Sequence, residues 1–203
     1  MLLINLLHQP QIQDLDLADA DVMILGGAGA HSALDDHPFT EPLSEVVVRW
    51  IDDGRPVFGS CWGHQFLGRL LGGSLIHDEE RQELGSYRVE TTETGRRDPL
   101  LEGLPESFTV QLGHHDRIDR LPPAMEELAR SELCCHQLIR LRDKPVYGSQ
   151  FHPELRREDF LDRLAVYRRE YAPGAEAMRR VEEGLRPSLE ANGLLRRFLE
   201  LYA

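Results

Sequence analysis

The chain has 203 residues, 41% hydrophobic and 29% charged, with a formal net charge of −12. That length supports one substantial core, so a single domain over residues 1–203 is the default expectation. An acidic balance of this size argues against nucleic acid or an anionic membrane as a main partner. The cysteines are three, Cys61, Cys134 and Cys135, an odd set that makes a poor disulfide framework and lacks the C-x-x-C spacing of a zinc site. No metal or cofactor is expected, and a reducing, cytoplasmic setting fits best.

The start, Met1 to Leu7, is apolar but has no basic flank and is too short for a signal peptide or a membrane span. It reads as a strand. A polar segment with Asp14, Asp16 and Asp19 leads to a second short strand, Val22 to Leu25. Three glycines in the five residues Gly26-Gly27-Ala28-Gly29-Ala30 then mark a loop of unusual backbone geometry. The spacing of Val46, Val47, Trp50 and Ile51 predicts a helix from about Glu41 to Asp53, stopped by Gly54. The strand Pro56-Val57-Phe58 and a helix from His64, carrying Phe66, Leu67, Leu70 and Leu71, come next. Strand and helix in alternation indicate a parallel sheet with helices on its faces.

From about Ser74 the chain changes character, with short strands expected at Ser86 to Thr92, Phe108 to Leu112, Leu138 to Arg142 and Val146 to Gln150. After that the pattern is helical: Glu158 to Glu170, Ala175 to Glu183, and Leu189 to Tyr202 with a core-facing stripe of Leu194, Leu195, Phe198, Leu199 and Tyr202. Residues from about 174 to 203 thus form a C-terminal helical extension. There is no internal repeat.

Chemistry concentrates in two runs. Gly59-Ser60-Cys61-Trp62-Gly63-His64-Gln65 places a cysteine at the tip of a strand-to-helix elbow. A helix N-terminus there favours thiolate over thiol, and its free amides, that of Trp62 first, can hold negative charge on a carbonyl oxygen under attack. Phe151-His152-Pro153-Glu154 follows the Val146 strand, so His152 projects at the carboxyl edge of the sheet, where open α/β folds bind ligands. Glu154 is two residues on, in position to orient the imidazole. Cys61 alone would as readily be an inert buried thiol. The histidine run and the glycine loop together tip the balance.

These motifs, with Leu25-Gly26-Gly27 and Gly113-His114-His115-Asp116, occur in the order found in the class I glutamine amidotransferases, and the chain resembles that family over roughly Ile4 to Pro153. It is most similar to the stand-alone members likened to the glutaminase part of GMP synthase. The resemblance implies a flavodoxin-like open α/β fold, with a mostly parallel sheet and helices on both faces. It implies Cys61 as nucleophile, His152 as general base and acid, Glu154 as its orienter, and the amides of Gly27 and Trp62 as oxyanion donors. It further implies that Gln65 and the backbone at His115 and Asp116 hold the substrate. Members of that family usually carry a strand and helix ahead of the strand read at Met1 to Leu7; if that strand corresponds to their second, the chain lacks their first, central one.

Three functions remain open on the residues. One is a glutaminase whose ammonia serves a separate synthetase subunit. The second is a free-standing hydrolase of γ-glutamyl compounds, which shares the same thioester. The third is an inactive regulatory homologue, which the intact Cys61, His152 and Glu154 argue against.

Overall fold

In a computed structural model of the chain, residues 1–12, 17–166 and 174–203 are described. Nine strands and six α-helices are found among them. The strands are β1 (Met23–Leu25), β2 (Val57–Ser60), β3 (Ser74–His77), β4 (Glu83–Thr91), β5 (Ser107–His114), β6 (Asp116–Arg120), β7 (Met125–Arg130), β8 (Leu138–Leu141) and β9 (Val146–Ser149). The helices are α1 (Thr40–Asp52), α2 (Trp62–Leu70), α3 (Arg157–Val166), α4 (Ala175–Gly184), α5 (Leu189–Asn192) and α6 (Leu194–Tyr202).

Seven strands form one sheet in the order β1-β2-β9-β8-β7-β4-β5, and β3 pairs with β6 in a separate antiparallel ribbon. β1, β2 and β9 are parallel neighbours. Every later ladder is antiparallel, so that β7 and β5 run the same way as those three while β8 and β4 run against them. The sheet is therefore mixed, with its parallel section at the end that carries the elbow.

Period-two alternation assigns the two sides of this section. Val57 and Val146 face a core shared with Leu43, Val47 and Trp50 of α1 and with Trp62 and Phe66 of α2. Phe58 and Tyr147 face the opposite core, closed by Phe151 and by Leu194 and Phe198 of α6. Helices thus cover both faces, as expected, and the C-terminal segment completes one of the two cores. In α1 the buried residues Leu43, Val46, Val47, Trp50 and Ile51 fall on one helical stripe. Burying each side chain of that kind stabilises the fold by about 1.5–3 kcal/mol. Gly54, at φ +75°, takes the left-handed conformation that ends the helix.

Several sequence expectations need correction. Met1 to Leu7 is not a strand: the amide of Leu7 donates to Asn5 Oδ1 and those of His8 and Gln9 to the Asn5 carbonyl, closing a turn. Met1, Leu2, Leu3 and Leu7 are exposed, while Ile4 and Leu6 pack on the core. Among the described residues nothing pairs with the outer side of β1, which ends the sheet. The expected helix Leu189 to Tyr202 is interrupted at Gly193. There the side chain of Asn192 donates instead to the carbonyls of Pro153 and Leu155. Three strands, β3, β6 and β7, were not expected. Met125-Glu126-Glu127-Leu128-Ala129-Arg130 has helical propensity that tertiary pairing overrides, and Asp116 to Arg120 has a single fully apolar residue, Ile118. Asp14, Asp16 and residues 167–170 of the expected third helix lie outside the described residues.

Candidate active site

The elbow is built by two close approaches that only glycine permits. A Cβ on Gly59 would lie 2.5 Å from the backbone of Gly63, and one on Gly63 would overlap the Leu25 carbonyl. Strand β2 can therefore turn directly into α2 under the end of β1. At the tip, Cys61 has φ 50° and ψ −100°, a strained conformation for a residue with a side chain. The strain is held by its neighbours: the Cys61 amide donates to Ser149 O at 2.8 Å, and its carbonyl accepts from the Gln65 amide at 3.1 Å. Trp62 opens α2, so its amide has no preceding turn of helix to bond to. The indole stacks on Phe66, with ring centroids 5.1 Å apart.

β9 lies beside β2 in parallel register, Ser60 opposite Ser149, so the residues leaving both strands emerge together. His152 is buried, and its amide is tied to Gln111 O at 2.9 Å. Its Nδ1 is 2.6 Å from Glu154 Oε1, and Ser60 Oγ donates to the other oxygen of that carboxylate at 2.9 Å. Burial works against a charged imidazole. The negative charge of the Cys61 thiolate and the contact with Glu154 outweigh it, and the His152 pKa rises to about 9. Burial likewise disfavours the Glu154 carboxylate, but its bonds to His152 and Ser60 win, leaving it below the usual carboxylate range.

The glycine loop completes the arrangement. A Cβ placed on Gly27 would lie 2.9 Å from His152 Cε1, 3.5 Å from Cys61 Cβ and 3.6 Å from Arg163 Nη2. Sulfur-bearing residue, imidazole and loop therefore meet at one point, and any side chain at position 27 would collide with the ring. His64, also in the elbow, is fully buried against Gly148, and burial lowers its pKa to about 3. It stays neutral and does not compete as a base.

Gln65 and Asp116 are brought together as well. Gln65 Nε2 donates to the Asp116 carbonyl at 2.6 Å and to Gln150 Oε1 at 3.1 Å, and Gln150 Nε2 lies 3.8 Å from Cys61 Sγ. Asp116 accepts from Ser32 Oγ at 2.5 Å through one carboxylate oxygen and contacts His77 Nδ1 at 2.7 Å through the other. His115 offers its carbonyl to the amide of Asp78 at 3.0 Å, and its ring stands 5.8 Å from that of His77. Every residue singled out from the sequence thus lies in or next to one neighbourhood. Sequence reasoning missed Ser60 and Gln150. Ser60 lies inside the elbow motif and Gln150 ends the strand ahead of His152, and neither was given a role there.

Residues 5–164 match the family model of the class I glutamine amidotransferases. The chain is 29% identical over 144 residues to a glutamine-hydrolysing GMP synthase subunit of Archaeoglobus fulgidus, covering 71% of this chain and 72% of that protein. It is 35% identical over 116 residues to the corresponding Pyrococcus abyssi protein, covering 57% of this chain and 60% of that one. Against the GMP synthase of Thermosipho africanus it is 32% identical but spans only 27% of that protein's length. A glutamine amidotransferase from Thermotoga maritima has the same fold, with a TM-score of 0.73 at 23% identity, covering 93% of this chain and 80% of that one. No described helix is long and apolar enough to cross a membrane. On its motifs, its fold and these matches, the chain belongs to the class I glutamine amidotransferase family.

Proposed function

We propose that this amidotransferase hydrolyses the γ-amide of glutamine through a Cys61 γ-glutamyl thioester and releases ammonia for a separate synthetase subunit. The observation that carries the reading is the meeting of Cys61, His152 and Gly27 around a single point. The names of the relatives, which are single subunits of glutamine-hydrolysing GMP synthases, support the substrate and the division of labour between separate chains.

In this scheme the Cys61 thiolate attacks the amide carbon, and the carbonyl oxygen takes the electron pair. The amides of Gly27 and Trp62 hold that oxyanion. As the tetrahedral intermediate collapses, the C–N bond breaks and His152 gives its proton to the leaving ammonia. Neutral His152 then takes a proton from water, which attacks the thioester carbon. The second collapse expels the thiolate, leaving glutamate, and the proton returns to the Cys61–His152 pair. Glu154, fixed by Ser60, keeps the imidazole oriented through both steps. Gln65 and the backbone at His115 and Asp116 hold the amino-acid end of the substrate.

The test is glutamate release from glutamine. Cys61→Ala should lower it by at least about 10⁴-fold; unchanged turnover would remove Cys61 from the mechanism. Addition of the synthetase subunit should raise glutamine turnover, and indifference to it would remove the partner from the reading.

A further inference from the structure

A buried chain of amides runs from the substrate side of the site to the sulfur. Gln150 follows β9 directly and is completely buried, and its main chain is pinned on both sides. Its own amide donates to the Gln137 carbonyl at 2.8 Å, and the carbonyl of the preceding Ser149 accepts from the Cys61 amide at 2.8 Å. The side chain bridges two residues of the elbow: Oε1 accepts from Gln65 Nε2 at 3.1 Å, and Nε2 lies 3.8 Å from Cys61 Sγ. A sulfur atom, larger and more diffuse than oxygen, accepts at that reach.

Which end of the Gln150 amide faces the sulfur is set by the network. The Asp116 carbonyl can only accept, so the NH2 group of Gln65 must face it, at 2.6 Å. The second hydrogen of that NH2 group turns Gln150 Oε1 toward Gln65, which leaves Gln150 Nε2 for Cys61. One main-chain carbonyl thus imposes its polarity on two successive side-chain amides, and the relay ends in an N–H donor at the nucleophile. Both hydrogens of Gln65 are taken in this arrangement, so in the proposed mechanism its oxygen is the atom that meets the substrate.

We propose that Gln150 is a further catalytic residue, whose Nε2–H donates to the Cys61 sulfur and, through Gln65, links it to the backbone that holds the substrate. The assignment rests on the thioester reading of the site and deepens it. A donor at this place stabilises negative charge on sulfur in the resting thiolate. It does so again when the C–S bond of the thioester breaks and its electron pair returns to sulfur. The proton stays on Gln150 throughout, unlike the one exchanged with His152.

The test reads the sulfur directly. The rate of Cys61 alkylation by iodoacetamide is measured against pH, together with kcat and KM for glutamine. The wild type is compared with Gln150→Met, which keeps the length of the side chain without its donor. The charged groups around Cys61, namely His152, Glu154 behind it and Arg163 near Gly27, are the same in both. With the donor gone the thiolate is less stable, so the acidic limb of the alkylation profile should move to higher pH by about one unit. Turnover should follow, with kcat about tenfold lower and KM little changed. Gln65→Met frees the Gln150 amide to rotate and should move the limb the same way. A limb that stays in place in either variant, or a loss confined to KM in Gln150→Met, overturns the proposal, because Gln150 would then only support Gln65. Should Gln150→Met not fold, Gln150→Asn keeps the amide but draws it back by one methylene, and carries the same comparison with the same expected direction. Failure of the functional reading looks different: the wild type then releases no glutamate from glutamine, while the alkylation profiles still report on Gln150.

Discussion

The same three side-chain types, a cysteine, a histidine and a glutamate, come together twice in this fold. Cys61, His152 and Glu154 stand at the carboxyl ends of two parallel strands, and Cys134, His114 and Glu83 are buried in the antiparallel part. In the second cluster Glu83 is completely enclosed. It accepts from Ser131 Oγ at 2.7 Å and Gln137 Nε2 at 2.5 Å and contacts His114 Nε2 at 3.0 Å. His114 Nδ1 is meanwhile taken by the Asp116 carbonyl at 3.0 Å. The Cys134 thiol, desolvated and close to the Glu83 charge, is pushed up to about 12. In the first cluster the cysteine caps a helix in a strained turn, the imidazole rises to about 9, and the loop opposite is glycine. Composition does not separate the proposed catalytic set from the buried one. What differs is the helix N-terminus and the strained backbone turn at Cys61.

The contrast can be broken from either side. The largest effect is expected from paired substitutions: Cys61→Ser should cost at least about 10⁴-fold in glutamate release. Cys134→Ser should leave turnover per folded molecule within a small factor and register instead as about 1–3 kcal/mol in denaturant unfolding. Next, Glu154→Gln should lower kcat/KM by about 10²-fold or more. Since the raised His152 pKa keeps the imidazolium present until the pH passes about 9, activity should fall as pH rises through that value. Removing the Glu154 charge should move that alkaline limb to lower pH, and a limb that stays in place would deny Glu154 its orienting role. A glutamine-like chloroketone should alkylate Cys61 and spare Cys134, read by peptide mass spectrometry; the reverse pattern would undo the electrostatic argument. Gly27→Ala, which puts a methyl group 2.9 Å from His152 Cε1, should cost about tenfold in kcat/KM. At the small end, Glu83→Gln should alter stability by a few kcal/mol at most, measured by thermal unfolding, with turnover per folded molecule preserved.

What could be read from the residues follows the same division. The parallel section was legible because its strands are short apolar runs set off by glycine, and because its chemistry sits in contiguous motifs at strand ends. Val57-Phe58, Val146 to Gln150 and the α1 stripe all reached the structure nearly as expected. The antiparallel section was harder. β7 is written in good helix formers, and β6 alternates charges around one isoleucine, so only pairing with β8 and β3 makes them strands. Met1 to Leu7 failed for the opposite reason: its residues suit a strand, but Asn5 closes a turn and the run stays out of the sheet.

The bond from the Cys61 amide to Ser149 O has one more consequence. It ties the sulfur-bearing residue into the ladder between two central strands, so this amide should exchange with deuterated solvent only when the whole sheet opens. The Gly27 loop, in the proposed mechanism the other half of the oxyanion hole, hangs instead from β1, an edge strand, and is open to solvent. On that mechanism the two oxyanion donors differ in how firmly the sheet holds them.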